Sequence, residues 1–302
     1  MSGEWDDHAK RYAKWSDRQT LPHAQFAFNA LEIPVPFSQS APQHQHSVPV
    51  KILDVAAGDG AFALTAARVL LPPPLSSSLE NTGPMYQIIA TDFSPEMIRI
   101  LAEKASSQKL RVECRVEDGQ PNGIKCIEEM YRVLKPGGKL VFTTWSDSFI
   151  PHLLLSSLIE INPSAAITHI ASKAISPPPT SPNPPPPKPR WSDPIWLRNI
   201  EMAAALSPAP LDTAVALSTA TVTVRRHEVA EFAQMVQAGP SVRAAMRAEG
   251  WTRDEDWKKV PEGIGRVFEK VYIPTAGSGG EDEVAVPLLS QANVVICIKG
   301  VQ

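Results

Sequence analysis

The stretch VKILDVAAGDGAFAL, Val50 to Leu64, constrains the fold more than any other part of the chain. An apolar run short enough for a buried strand ends in Asp54, a turn of small residues follows, and AFALTAARVLL continues with good helix formers. Strand, glycine turn and helix in that order make the first half of a parallel βαβ unit. Within the turn, Gly58, Gly60 and Ala63 satisfy the G-x-G-x-x-A spacing of a dinucleotide fingerprint. The physics of such a turn is general. Glycines let the backbone approach a ligand, and the following helix offers N–H groups and the positive end of its dipole. Spacing alone therefore leaves open which adenosine-bearing ligand sits there.

The same alternation continues downstream. YQIIATDF reads as a second strand, and SPEMIRILAEKASS as a helix with Ser94 as N-cap, Pro95 at the first helical position and Glu96 in the first turn. LRVECRVE is a third strand. IKCIEEMYRVL is a helix carrying Ile124, Ile127, Met130, Tyr131 and Leu134 on one face; KPGG stops it and KLVFTTW is the next strand. Such an order predicts an α/β fold with an open, doubly wound, mostly parallel sheet, its ligand at the carboxyl ends of the strands. Residues 4–31 read as one or two amphipathic helices, and 33–49 as a loop whose His44 and His46 are solvated rather than metal-bound. Beyond Trp145, WSDPIWLRNIEMAAALS, VAEFAQMVQ and SVRAAM return to helix, while TAVALSTATVTV and ANVVICIKG are strands. The expected organisation is an N-terminal helical lid (1–46), a cofactor-binding half (47–150), and a substrate-side half (151–302) with late helical cap elements, a proline-rich surface insertion at 176–189 and closing strands.

Composition removes several classes of function. A chain of 302 residues, 43% hydrophobic, suffices for one large domain or one domain with a small cap. A net charge of −3 sets up no field that gathers nucleic acid or an anionic membrane. Cys114, Cys126 and Cys297 are scattered and in no zinc-like spacing, which fits reduced thiols and no metal site. The opening MSGEWDDHAKRY is acidic and polar, unlike a leader, and the longest apolar segment is broken by Glu160, Asn162, Pro163 and Lys173. The expectation is a cytoplasmic protein acting on a small-molecule substrate, with no nucleic-acid partner and no membrane insertion.

Asp54 narrows the ligand. A carboxylate four residues before Gly58 repels a pyrophosphate and suits a ligand carrying an ammonium group. S-adenosylmethionine has one, together with a carboxylate for the helix start. ILDVAAGDG, IIATDFSPEMI, VEDGQ and MYRVLKPGGKLVFTTW occur in the order seen in class I S-adenosylmethionine-dependent methyltransferases. The chain most resembles their small-molecule group that includes the quinone-biosynthesis C-methyltransferases, as do the opening WDDHAKRYAKW and the later WSDP…WL. The resemblance implies a Rossmann-like fold and S-adenosylmethionine as cofactor. It implies that Asp54, Gly58 and Gly60 surround the methionyl end, with Ala56 where the family usually has glycine. It further implies that Asp92 accepts from both ribose hydroxyls, that Phe93 and Met97 flank the adenine, and that Asp118 takes its exocyclic amine, with Gly119 allowing close approach. No catalytic base is implied: His23, His152 and His169 stand on the expected acceptor side but fit structural uses as well. The acceptor pocket is expected between the N-terminal helices and the segments after Trp145, with Trp5, Tyr12, Trp15, Trp145, Trp191 and Trp196 available as an aromatic wall.

One departure from the family stands out. Only QPNG separates Gly119 from Ile124, and four residues span at most about 14 Å. The family's fourth strand, which lies beside the first, has no room. Its loss leaves either a gap in the sheet or a shifted pairing that sets KLVFTTW beside KILDV. The expected function is methyl transfer from S-adenosylmethionine to a small molecule. The alternative is an inactive or truncated methyltransferase-like protein that at most binds the cofactor, and a nicotinamide-dependent oxidoreductase is the more distant one.

Overall fold

A computed structural model describes residues 2–33, 50–70, 86–117, 123–164, 192–198, 212–239, 242–243, 247, 254–272 and 285–299. The βαβ units read from the sequence are present. β1 (Val50–Val55) leads through the glycine turn into α3 (Ala61–Leu70), β2 (Tyr86–Asp92) into α4 (Pro95–Ser107), and β3 (Glu113–Val116) follows. Two helices come before them, α1 (Ser2–Gln19) and α2 (Leu21–Ala30). The three strands form a parallel sheet in the order β1-β2-β3. Val50 pairs with Tyr86 and Val55 with Thr91, and Ile89 pairs with Glu113 and Asp92 with Val116. This register brings the carboxyl ends of β1 and β2 side by side, so the glycine turn lies next to Asp92.

α5 (Gly123–Val133) and β4 (Lys139–Ser148) come next, and then α6 (Phe149–Ile161), α7 (Pro194–Arg198), β5 (Asp212–Arg225), α8 (Val229–Ala238), α9 (Asp254–Lys258), α10 (Val260–Val267) and β6 (Ala285–Ile298). β4, β6 and β5 form a second sheet in that order. The shifted pairing that would seat KLVFTTW beside KILDV is therefore not adopted: among the described residues β1 has β2 as its neighbour and β4 has β6. On β1 itself, Leu53 is 50% exposed and Val50 40%. Strands of a parallel sheet are normally covered on both faces.

The chain divides into two compact units, Met1–Thr144 with Leu197–Ser218 and Ala292–Gln302, and Trp145–Trp196 with Thr219–Gln291. In the first, Ile52, Tyr86, Ile88 and Ala90 of the sheet pack on Ala63, Ala66, Ala67 and Leu70 of α3 and on Leu101 of α4. Alanines on that face of α3 let the helix sit close to the strands, and Phe28 of α2 closes the cluster edge-on to Phe62 at 6.2 Å. Lysines finish two helices here. Lys299 Nζ donates to the carbonyls of Tyr131, Arg132 and Leu134 at 3.2, 3.1 and 2.8 Å, satisfying the acceptor-rich end of α5, and Lys139 Nζ does the same for Leu31 after α2 at 2.6 Å.

In the second unit the core is aromatic and helical: Phe232 of α8 lies 6.0 Å from both Phe149 and Phe268. Gly263 of α10 faces α6 so closely that a Cβ there would stand 2.7 Å from the Ser157 carbonyl oxygen. Gly265, two residues on, faces open space. Gly263→Ala is expected to destabilise by about 1–3 kcal/mol, since overpacking outweighs the gain in helix propensity. Gly265→Ala is expected to be neutral or stabilising by up to about 1 kcal/mol. Urea denaturation of the pair checks both.

Candidate functional site at the glycine turn

Three residues in the turn have positive φ: Ala56 (57°), Gly58 (56°) and Gly60 (97°). Ala56 therefore stands in a conformation that favours glycine. Its Cβ is held in the left-handed region, at a cost of about 1 kcal/mol. Gly60 is required twice over, by its φ and because a Cβ would lie 2.7 Å from Leu101 Cγ. Gly58 differs: a Cβ there would meet nothing within 4 Å, so space lies open over the middle of the turn. The turn is tied down by backbone bonds, Ala57 N–H to the Thr91 carbonyl and Gly60 N–H to that of Ala57, both 2.9 Å.

Two carboxylates flank it. Asp54 Oδ2 accepts from the Ala63 N–H in the first turn of α3 at 3.0 Å. Burial pushes the Asp54 carboxyl up to about 7, against the pull of that N–H, and the Asp92 charge adds to the rise. Asp92 is 6% exposed, with Oδ2 accepting from Gly58 N–H and Oδ1 from Ser94 N–H, each at 2.9 Å. One carboxylate thus clips the glycine turn to the start of α4. Since an ionised carboxyl group can accept about four hydrogen bonds, two of them from backbone leave capacity for a diol. Ser94 is the N-cap read from the sequence, its Oγ accepting from Met97 N–H at 3.2 Å.

The remaining expected residues fall in different places. Phe93 is half-buried beside Asp92. Met97 is buried where α1 packs on α4, among Ala9, Ile100, Tyr12 and Ala13. Asp118 and Gly119 lie outside the described residues, as do His44, His46, His169 and the segment 176–189. His23 is buried, its Nδ1 2.8 Å from Ser218 Oγ, and burial lowers its pKa. His152 is exposed beside Asp147 at 3.5 Å. Of the aromatic residues, Trp15 is buried with the Arg18 guanidinium 4.6 Å over its ring, and Trp145 is 43% exposed.

Sequence reasoning missed how α1 engages the turn. Asp6 Oδ1 accepts from Ser94 Oγ at 2.6 Å and from Glu96 N–H at 3.2 Å. Ser16 Oγ donates to Asp59 Oδ2 at 2.5 Å, and Lys104 Nζ bridges Asp59 at 2.7 Å and Asp17 at 3.2 Å. Burial works to lower the Lys104 pKa, but the bonds and charges of Asp59 and Asp17 outweigh it and the net shift is upward. Between these anchors Tyr12 is held neutral: burial raises its phenol, and so do the charges of Asp59 and Asp92. His8, one turn earlier, is pushed down to about 4 by burial and by Arg11. The polar positions Asp6, Asp17 and Asp59 read in one dimension as ordinary surface residues, and only their shared neighbours mark them.

The class defined by this fold is a Rossmann-like α/β protein with a small-residue turn at the carboxyl end of its first strand. Its sequence relatives are methyltransferases. A demethylmenaquinone methyltransferase of Deinococcus radiodurans is 28% identical over 116 residues, covering 31% of this chain and 42% of the relative. One from Thermus thermophilus is 30% identical over 114 residues, covering 31% and 46%. The chain thus spans less than half the length of these two relatives. No family model matches. Among solved structures, the YcgJ protein of Bacillus subtilis aligns with a TM-score of 0.41 at 11% identity, over 93% of this chain and 99% of that one. Phosphoethanolamine N-methyltransferase 2 of Haemonchus contortus, solved with S-adenosyl-L-methionine, aligns with 0.36 at 14% identity, over 95% and 60%.

Two outcomes are expected at the turn. Ala56→Gly relieves the left-handed alanine and raises stability by about 0.5–1 kcal/mol in urea denaturation. Because the Asp54 pKa is raised on folding, its contribution to stability is complete below about pH 4 and is lost as pH rises through 7. Asp54→Asn keeps an acceptor for Ala63 N–H, so the variant should gain on the wild type as pH rises from 5 to 8. Urea midpoints measured across that range check it.

Proposed function

We propose that this chain binds S-adenosylmethionine over the Gly58–Gly60 turn and catalyses transfer of its methyl group to a small-molecule acceptor, in the cytoplasm. One observation carries the reading: open space over Gly58, flanked by a carboxyl near neutrality on β1 and a buried carboxylate on β2. A pyrophosphate between two acids is disfavoured, whereas an amino acid joined to a ribose supplies an ammonium for one and a diol for the other. The methyltransferase relatives support the same reading.

The residues divide the work. Asp54 gives up its proton when an ammonium group arrives, turning a burial penalty into a binding contact. Asp92 keeps its two backbone bonds and spends its remaining lone pairs on the diol, so ligand and turn geometry are fixed by one group. Gly58 supplies clearance, and the Phe93 ring, beside Asp92, is the wall available to a base. Asp118 and Gly119 are assigned to the adenine by the family resemblance. The cofactor, when bound, supplies a methyl group on a sulfonium that is open to in-line displacement. The chain's own contribution is then alignment and exclusion of water. A general base is needed only for an acceptor that keeps its proton, and none is assigned.

Calorimetric titration with S-adenosylhomocysteine, with NAD as control, tests the reading. Micromolar binding is expected, strengthening up to about tenfold per pH unit from pH 5.5 towards 7 as Asp54 ionises, with a proton released. Asp54→Asn should bind at least tenfold more weakly and without that pH slope. A folded chain that binds NAD, or neither compound, overturns the proposal.

A further inference from the structure

The second unit carries a cleft of its own. About 380 Å³ in volume, it is lined by Gln237 and Ala238 at the end of α8, by Arg243, and by Asp254, Trp257 and Lys258 of the short α9. Its walls are fixed. Gln237 Nε2 donates to the Trp257 carbonyl at 2.8 Å, and Asn162 Nδ2, just past α6, donates to Asp256 Oδ2 at 3.2 Å. A five-residue helix too short to hold itself is thus tied from two sides. Asp254 Oδ1 then gathers two cations, accepting from Arg243 Nη2 at 3.1 Å and from Arg247 Nη2 at 3.4 Å. Each guanidinium spends one nitrogen on that contact. A guanidinium carries five N–H donors in a planar fork, so most of each fork is left to use. Among the described residues, Lys258 Nζ forms no ion pair and the Trp257 indole N–H no hydrogen bond.

Three cations, Arg243, Arg247 and Lys258, therefore share the one carboxylate of Asp254. The surplus of two positive charges matches a dianion such as a phosphate monoester, and a guanidinium fork matches phosphate oxygens in geometry. The cleft is larger than a bare phosphate needs and falls in the range of small-molecule sites. Its remaining lining is the half-buried Trp257 and the Ala238 methyl, which suit a ring rather than a further charge. We propose that this cleft binds a phosphate monoester of a planar ring compound, its dianion on Arg243 and Lys258 and its ring against Trp257. Arg247 shares Asp254 and adds to the field. Asp254 holds the two like charges together, so the cleft is formed before the ligand arrives. All of these residues belong to the second unit, and the inference does not depend on what the glycine turn binds.

Calorimetric titration of the full chain with phenyl phosphate at low ionic strength tests it, with phenyl sulfate and inorganic phosphate for comparison. Phenyl phosphate is expected to bind with a Kd below about 1 mM. Phenyl sulfate, the same ring on a monoanion, should bind about fivefold more weakly, and so should inorganic phosphate, which lacks the ring. Arg243→Gln and Lys258→Gln are each expected to weaken phenyl phosphate about fivefold or more, and Trp257→Leu to bring it down to the affinity of inorganic phosphate. Arg266→Gln, on α10 outside the cleft, should leave all three ligands unaffected. Arg243 and Lys258 are exposed, so their variants keep the fold, which thermal melts check. A folded chain that does not bind phenyl phosphate overturns the proposal. So does binding that both Arg243→Gln and Lys258→Gln leave unchanged, because the ester then sits elsewhere. Binding that Arg266→Gln weakens equally is a general response to charge and overturns it too. Equal affinity for phenyl phosphate and inorganic phosphate overturns the place given to the ring.

Discussion

The Asp92 carboxylate holds the candidate site together. Its two oxygens take one N–H from the glycine turn and one from the start of α4, and its own carbonyl accepts from Glu117 after β3. Three loops at the carboxyl end of the sheet are therefore organised around a single residue. Charge-assisted bonds of this kind are stronger than neutral ones, and leaving either N–H without a partner at this depth would be costly. The same residue is the one proposed to hold the ligand diol, which makes shape and recognition inseparable here.

Around that clip, two acids are kept unlike each other. Asp54 is pushed towards neutrality by burial, while Asp92 is surrounded by donors. Ala56, in a left-handed conformation between them, is a small strain carried by a loop that the surrounding bonds fix firmly. On β1, Val50 and Leu53 are exposed, although the β1–β2 ladder and the turn are intact.

Much of the first unit was legible because its signals are local. Ser94 caps α4 as its sequence context requires, Ile127 and Tyr131 of the predicted face of α5 are buried, and the strands before and after the glycine turn lie where their aliphatic runs place them. LRVECRVE shortened to Glu113–Val116, a charged edge that water holds as well as the sheet does. The later half was harder to read. β6 starts at Ala285, ahead of ANVVICIKG, through a Pro287 that argues against a central strand in one dimension. Of the helices over 254–267, α9 buries none of its residues, and α10, only eight residues long, buries Val260, Ile264 and Val267 at i, i+4 and i+7.

By itself, the sequence determined the βαβ order, the turn with its two glycines and the two acids at the strand ends, because each of these is written in neighbouring residues. Tertiary structure alone decided that Asp92 clips the glycine turn through Gly58 N–H, that Met97 is buried under α1, that Asp6 meets Ser94, and that Ser16 and Lys104 share Asp59. It also decided that β1 and β4 belong to different sheets. The physical reason is the same throughout. Propensity and periodicity report on a few residues of chain, whereas desolvated hydrogen bonds are made between residues tens of positions apart, which only the folded chain brings within 3 Å of each other.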